Sequence, residues 1–304
     1  MMRSKALAVF FTVVLMISST SCERDFFIDL KTGGQELIVE AYINNELAES
    51  NYVILSYSQG YYDTGFQNIP VTGAFVTITE GIVEPNGEYA WDASSKKQMI
   101  EGDVPTIPGG AIPGVYMDPL AFRSSPRALM GEPGKHYLLE IELKGNKYSA
   151  ITYMPEPVVL DSLTAGDYFI DSLDTKARLT LYYKDPDTLG NTQLFFWRNK
   201  FNHVRSFGWG AFGSNRFLPG TDDLTNGEYI TVTPNNGFLI GDSVNYHLVS
   251  VERKVYNFWD SFNKARDNGG PFSTPVKLMS TIEGENVVGC FSGLSLSTKT
   301  IIIK

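Results

Sequence analysis

Two pairs of acidic residues are close enough in sequence to suggest chemistry, Asp185 with Asp187 and Asp222 with Asp223. Such pairs could supply the carboxyl groups of a glycoside hydrolase or oxygen ligands for calcium. A glycosidase, however, needs two carboxyl groups that face each other across a cleft, whereas neighbours on a strand point to opposite faces. Calcium prefers a denser cluster of oxygens. The pattern favours turns in which Asp caps backbone groups.

The other reactive side chains are dispersed. His136, His203 and His247 fall in three different predicted strands or loops, without a Gly-x-Ser-x-Gly or His-Glu-x-x-His motif. Cys290 lies in an apolar run that is typical of a buried structural thiol. The glycine pair at 269–272 lacks the Lys-Ser/Thr of a phosphate loop. We therefore expect a protein that is not an enzyme and has no metal or cofactor, with a hydrolase site assembled only in space as an alternative.

An aromatic and glycine-rich stretch from Ser206 to Phe217 shows neither strand nor helix periodicity. It is either a packed segment or a contact surface, since aromatic residues and Arg dominate binding hot spots. The candidate binding residues are Arg205, Phe207, Trp209, Phe212, Arg216 and Phe217.

A second candidate contact is the segment 101–134, which is rich in Pro and Gly. This composition predicts surface loops. Its apolar residues Tyr116, Met117 and Phe122 could then be available to a partner.

The N-terminus carries a targeting signal. Arg3 and Lys5 precede an apolar run from Ala6 to Ile17, which is too short to span a bilayer comfortably. The small residues that lead into Cys22 resemble a bacterial lipoprotein box. We predict a lipoprotein signal peptide at residues 1–21, lipidation of Cys22 and a tether at 22–34. The alternative is ordinary secretion, with Cys22 a bystander.

Charge bears on where the protein is held and what it contacts. The formal charge is −9, and removal of the signal peptide with Arg3 and Lys5 leaves 23 basic and 34 acidic residues. Such a chain repels phosphate, which argues against a nucleic-acid partner. It is also repelled by an anionic membrane surface, so lipid must hold it there. Glu23-Arg24-Asp25 looks like an acidic surface-export tag, and we expect a lipid-anchored protein of the outer membrane that faces outward.

Short strands separated by turns predict a mainly β fold of two antiparallel units. The first, at residues 35–155, should be an Ig-like or transthyretin-like sandwich. A Pro-rich boundary at 154–157 leads to a second β-rich unit at 156–304. This unit should contain one packed helix at 252–266, where apolar residues recur at helical spacing. The predicted strands are 37–43, 52–57, 74–79, 88–91, 136–143, 148–153, 177–183, 193–198, 243–251 and 299–303.

Several passages together resemble one protein family. They are an N-terminal signature at 37–43 and 53–58, a hairpin at 134–140 and 148–152, and a C-terminal signature at 268–275, 281–284 and 289–293. The family consists of Bacteroidota lipoproteins classed as a domain of unknown function and commonly encoded beside outer-membrane TonB-dependent receptors. Cys290 stands where an aromatic residue is more usual.

The resemblance implies a function but no catalytic residues. It implies a surface-anchored accessory or ligand-capture subunit of a TonB-dependent outer-membrane transporter, which acts by binding. The alternative is a surface adhesion or structural module without a transporter partner.

Overall fold

A computed structural model describes residues 34–59, 69–103, 111–123, 125–199, 216–217, 225–268, 274 and 276–304. This part of the chain is mainly β with one α-helix, which confirms the predicted fold class. The strands are β1 (Leu37–Asn44), β2 (Tyr52–Tyr57), β3 (Ile69–Pro70), β4 (Phe75–Val83), β5 (Tyr89–Trp91), β6 (Lys97–Asp103), β7 (Ala111–Met117), β8 (His136–Leu143), β9 (Asn146–Tyr153), β10 (Leu160–Asp171), β11 (Asp174–Lys184), β12 (Thr192–Asn199), β13 (Arg216–Phe217), β14 (Tyr229–Val232), β15 (Gly237–Leu239), β16 (Ser243–Val251) and β17 (Val287–Ile302). The helix is α1 (Arg253–Asp267).

Two sheets organise these strands. The larger follows the order β13-β12-β16-β17-β1-β2-β7-β6-β4-β8-β9, with β3 beside β2 and β5 beside β4. The smaller has the order β10-β11-β14, with β15 also paired to β11. The pairs are antiparallel except for β1 with β17, among the strands that the structure describes.

The first and last strands join the two halves of the chain. β1 pairs with β17 over eight positions, from Leu37 opposite Val287 to Asn44 opposite Leu294. The units predicted at 35–155 and 156–304 therefore share a continuous sheet, and residues Gln35–Lys304 form one compact unit. β17 also contributes Phe291 to the core of the first half.

The sheets bury three apolar cores. The first lies among β1, β2, β4, β8 and β9, and the second between the larger sheet and α1. The third lies between β12 and β16 of the larger sheet and the smaller sheet. Strand alternation explains how β12 serves two of them, because successive side chains point to opposite faces. Leu194 and Phe196 face α1, whereas Phe195 and Trp197 face the smaller sheet.

The helix lies close to its predicted range. Its buried face consists of Val255, Tyr256, Phe258, Trp259 and Ser261, at the spacing of one helical side. Trp259 stacks on Tyr42 of β1, with ring centroids 6.5 Å apart and planes 7° from parallel. α1 is thereby fixed on the sheet by large aromatic contacts.

The prediction that residues 101–134 are mostly surface loops is wrong for 111–117. These residues form β7, in which Tyr116 and Met117 are buried and so are not an exposed contact surface. Gly114 does not follow the regular ladder: its N–H donates to Oε1 of Glu101 at 3.0 Å. The register between β6 and β7 also shifts after Glu101. A bulge of this kind accommodates Pro and Gly within a strand.

Candidate functional site

Most of the predicted contact residues lie outside the part of the chain that the structure describes. Those outside are Cys22, Arg205, Phe207, Trp209 and Phe212. Arg216 and Phe217 form the short strand β13, paired with Phe196 and Phe195 of β12. The contact surface predicted between Ser206 and Phe217 therefore stays a prediction.

Cys290 is a buried thiol, as its apolar sequence environment predicts. It is only 2% exposed and packs in the core beneath α1. Burial raises its pKa to about 12, although contact with the Ser292 hydroxyl at 3.3 Å opposes the rise. A thiol with so high a pKa carries almost no thiolate at neutral pH.

The carboxyl group of Asp185 is buried where β11 ends. It accepts hydrogen bonds from the Gln193 amide and from the N–H of Gly227, both at 3.4 Å. Its own backbone N–H donates to the carbonyl of Glu228 at 2.9 Å. Asp185 thus links the turn after β11 to β12 and to the loop before β14, in keeping with the predicted turn. Asp222 and Asp223 lie outside the described residues.

The described histidines lie on strands that are not neighbours in the sheet. His247 of β16 is buried, with Nδ1 2.7 Å from the Thr298 hydroxyl and 3.5 Å from a carboxylate oxygen of Glu46. His136 lies on β8. Within the described ranges, no group of three or more His, Cys, Asp or Glu side chains is placed to hold a metal ion.

The most distinctive surface is a row of four aromatic rings on the outer face of β5, β4, β8 and β9, which we call the aromatic row. The rings touch in sequence: centroids are 5.2 Å apart for Trp91 and Tyr89, 5.4 Å for Tyr89 and His136, and 4.8 Å for His136 and Tyr153. Tyr89 is 45% exposed, and the other three are half-buried.

Strand register produces the aromatic row. Trp91 is opposite Gly81, Gly81 is opposite His136, and His136 is opposite Tyr153. Neighbouring strands lie about 4.8 Å apart, so the row spans about 14 Å. Gly81 is required at its position because a Cβ there would overlap the indole of Trp91. The indole therefore lies directly on the sheet backbone.

The electrostatics of the aromatic row are set at His136. Burial is the larger cause that lowers its pKa, and the nearby ammonium group of Lys254 lowers it further. Its Nδ1 is buried and has no hydrogen-bond partner among the described residues. A protonated ring would need a partner for each N–H, so His136 is neutral at neutral pH. The row is thus an uncharged aromatic surface.

The recesses lined by described residues include one of about 360 Å³ beside Lys96 and Glu140 that is open to solvent. An apolar recess of about 240 Å³ lies between α1 and the larger sheet, lined by Tyr42, Phe258, Trp259, Phe262 and Cys290 among others. This volume is below the roughly 300 Å³ of pockets that enclose drug-sized ligands. A larger depression of about 640 Å³ near Lys144 and Glu285 is polar and open. Open surfaces are therefore the better candidates for contacts than an enclosed pocket.

The aromatic row is not evident from the sequence. The pattern predicts Tyr89 and Trp91 in a short strand and His136 and Tyr153 in a hairpin, but it does not predict the pairing of β4 with both β5 and β8 that places Gly81 between the rings. The alternation Tyr89-Ala90-Trp91 was the available signal, since it puts two aromatic rings on one face of an edge strand.

Among the described residues, α1 is neither long nor apolar enough to cross a membrane.

Sequence comparison identifies the family. A search of curated proteins finds no match to this chain. One family model matches residues 23–300, nearly the whole sequence after the predicted signal peptide. The chain therefore belongs to the family described as Domain of unknown function (DUF4249).

Proposed function

We propose that this protein is a lipid-anchored lipoprotein of a Bacteroidota outer membrane and an accessory or ligand-capture subunit of a TonB-dependent receptor. It acts by binding and not by chemistry. The aromatic row is the observation that best supports a binding role. It offers one exposed and three half-buried uncharged rings on a rigid sheet, and aromatic side chains are enriched among residues that dominate binding.

The anchor rests on the N-terminal sequence. A Cys that follows an apolar run and small residues is the acceptor in lipoprotein processing, and two or three acyl chains there give lasting attachment. Metabolic labelling with palmitate tests this step. The parent should be labelled, and Cys22→Ala should lose the label. Cys290→Ala is the matched control and should keep it, because Cys290 is buried. Equal labelling of Cys22→Ala and the parent would overturn the anchor.

The ligand surface follows from the shape of the aromatic row. An uncharged row of about 14 Å can contact flat, weakly polar faces of a ligand along several rings. The ammonium group of Lys254 lies near His136 and contacts the Ile151 carbonyl at 2.5 Å and the Glu252 carboxylate at 3.3 Å. Its third N–H can donate to a polar group of the same ligand. The row therefore fits an elongated, neutral ligand with both apolar faces and hydroxyl or carbonyl groups.

The experiment is a pull-down of the tagged lipoprotein from detergent-solubilised outer membranes of its host. We expect a TonB-dependent receptor to co-purify. The variant Tyr89→Ala should reduce ligand uptake or ligand binding, whereas Tyr229→Ala should not, since Tyr229 is exposed on β14, outside the row. If no receptor co-purifies while the protein still binds envelope material, the adhesion function replaces the proposed one.

A further inference from the structure

Exposed apolar side chains gather at one end of the molecule, which we call the apolar end. Leu173, in the turn between β10 and β11, is 97% exposed, and Ile170 beside it is 80% exposed. Single exposed apolar residues are common, but a group of them at one place indicates an interaction surface. The other exposed members of the apolar end are Tyr168, Leu239, Ile240 and Ile302.

Hydrogen bonds hold these residues in one place. The hydroxyl of Tyr168 donates to the carbonyl of Lys304 at 3.1 Å. The N–H of Ile240 donates to the carbonyl of Thr175 at 3.3 Å. The N–H of Ile303 donates to the carbonyl of Asp242 at 2.9 Å. The tip of the β10–β11 hairpin, the turn after β15 and the end of β17 therefore lie side by side.

The hairpin tip projects beyond its neighbours. β10 and β11 remain paired as far as Asp171 opposite Asp174, whereas β15 accompanies β11 only as far as Lys176. Lys176 bonds to Asp171 at 2.7 Å, and Arg178 lies 4.4 Å from the Phe169 ring. These contacts stiffen the tip, so that Ile170 and Leu173 are presented without a large entropy cost on binding.

The charges at the apolar end indicate which kind of partner it could bind. A surface that enters an anionic bilayer usually has Lys or Arg available for headgroups. Here Lys176 is engaged with Asp171 and Arg178 with Asp167, so that Lys304, whose carbonyl accepts the Tyr168 hydroxyl, is the basic residue of this end that forms no ion pair among the described residues. Asp174 and Asp242 add negative charge beside the apolar side chains. A second copy would bring these carboxylates against their own equivalents, which is unfavourable.

The position of the apolar end along β17 also favours a protein partner over the lipid bilayer. The predicted tether joins the body before Leu37, which is paired with Val287 at the start of β17. The apolar end lies at the other end of β17, beside Ile302. The strand β17 between these points is sixteen residues long, which corresponds to about 50 Å. The apolar end is thus remote from the start of β1, where the described body begins.

We propose that the apolar end is a docking surface for a protein partner that offers an apolar recess with basic groups around it. Resting on the proposed function, this partner is the TonB-dependent receptor. Ile170 and Leu173 enter the recess as anchors, and Asp174 pairs with its basic rim.

Site-specific photo-crosslinking in the outer membrane of host cells tests the proposal. The full-length lipoprotein carries a photoreactive phenylalanine analogue at Leu173 or, as the matched control, at Leu189. Leu189 is 75% exposed and follows the opposite end of β11. We expect an adduct with the receptor at Leu173 and little or none at Leu189. The variant Leu173→Asp should reduce receptor recovery in the pull-down about tenfold, the effect of losing one good anchor.

The outcomes separate the two proposals. An adduct of twice the chain mass, an adduct with lipid, or equal adducts at both positions would overturn the docking surface. A receptor that co-purifies with the parent but does not crosslink at Leu173 would overturn the docking surface and leave the proposed function standing. Absence of any receptor from the parent pull-down would overturn the proposed function and the receptor assignment together. Thermal unfolding of Leu173→Asp, unchanged from the parent, confirms that it is folded.

Discussion

Glu252 and Thr152, one hundred residues apart in the chain, are joined by a hydrogen bond of 2.8 Å from the Thr152 hydroxyl to the Glu252 carboxylate. The same carboxylate oxygen accepts the N–H of Tyr153 at 3.1 Å, and the Thr152 hydroxyl oxygen accepts the N–H of Gly293 at 2.9 Å. The residue before α1, the end of β9 and the central strand β17 therefore meet at one polar point.

Glu252→Ala should destabilise the protein by about 2 kcal/mol, because it leaves the Tyr153 N–H and the Thr152 hydroxyl without their acceptor. Urea unfolding followed by circular dichroism measures the change in the free energy of unfolding. Glu142→Ala is the matched control, since Glu142 is exposed on β8, and its effect should stay within about 0.5 kcal/mol. Equal effects of the two substitutions would contradict a structural role for Glu252.

Gly289 allows β17 to approach β1. Val39 is opposite Gly289 in the parallel pair, and a Cβ at Gly289 would overlap the backbone of Val39. Gly289→Ala must therefore separate the two strands and should cost about 3 kcal/mol or more. Gly166→Ala, at a position where a Cβ meets open space, is the control and should unfold like the parent. Thermal unfolding compares the two, and a Gly289→Ala variant as stable as the parent would refute the close approach.

Elements could be predicted where the spacing of apolar and polar residues in the sequence matches the burial of their side chains. β2, β8 and β16 have the predicted bounds, and α1 is displaced by one residue. In β8 the alternation is complete: Tyr137, Leu139 and Ile141 are buried, while Glu140 and Glu142 are exposed. A strand with one buried and one solvated face can be predicted from its alternation of apolar and polar residues.

The predicted ranges also overlap β1, β4, β5, β9, β11 and β12. Other strands could not be predicted because their pattern is set by neighbours that are distant in sequence. β17 was expected only at 299–303, yet it begins at Val287 and is buried between β1 and β16. Its Gly and Ser residues resemble a loop, but they are small because other backbones pass close by, as Gly293 shows beside Tyr153. β10 contains two register shifts and three Asp residues, which hide its strand character.

The aromatic row could not be predicted from the sequence, because it also depends on pairing between strands that are distant in sequence. Its rings come from β5, β8 and β9, and no local signal states that Gly81 of β4 lies between Trp91 and His136. The candidate contact residues between Arg205 and Phe217 lie where strand and helix periodicity ends. Loss of periodicity indicates an irregular segment but not its contacts.

His136 should titrate with a pKa below its ordinary value of 6.5, because burial and the Lys254 ammonium group both disfavour the charged ring. Since the unfolded chain binds this proton more readily, the contribution of neutral His136 to stability is complete above pH 6.5 and is lost as the pH falls through the lowered pKa. NMR titration of the imidazole resonances measures the pKa.

The variant Lys254→Met separates the two causes. It should raise the pKa of His136 only part of the way to 6.5, because burial is the larger cause. Lys277→Met removes an exposed charge elsewhere and should leave the titration unchanged. A pKa of His136 at or above 6.5 in the parent would contradict the neutral aromatic row.

Cys290 should not react with Ellman's reagent while the protein is folded. A rise in its pKa from 9.0 to about 12 reduces the thiolate fraction about a thousandfold, and burial also excludes the reagent. The full chain with Cys22→Ala leaves Cys290 as its only thiol. In that protein we expect no release of the coloured thiolate at pH 8, followed by one equivalent after addition of concentrated urea.

The added substitution Leu189→Cys provides the matched control, because residue 189 is exposed. This protein should release one equivalent at once and the second only on unfolding. Because reaction of Cys290 then requires the core beneath α1 to open, the rate of the second phase in sub-denaturing urea reports how often α1 leaves the sheet. Trp259→Ala removes the ring stacked on Tyr42 and should accelerate that phase. Immediate reaction of both thiols in the folded protein would show instead that the thiol is accessible, and the core contact between α1 and β17 would have to be rejected.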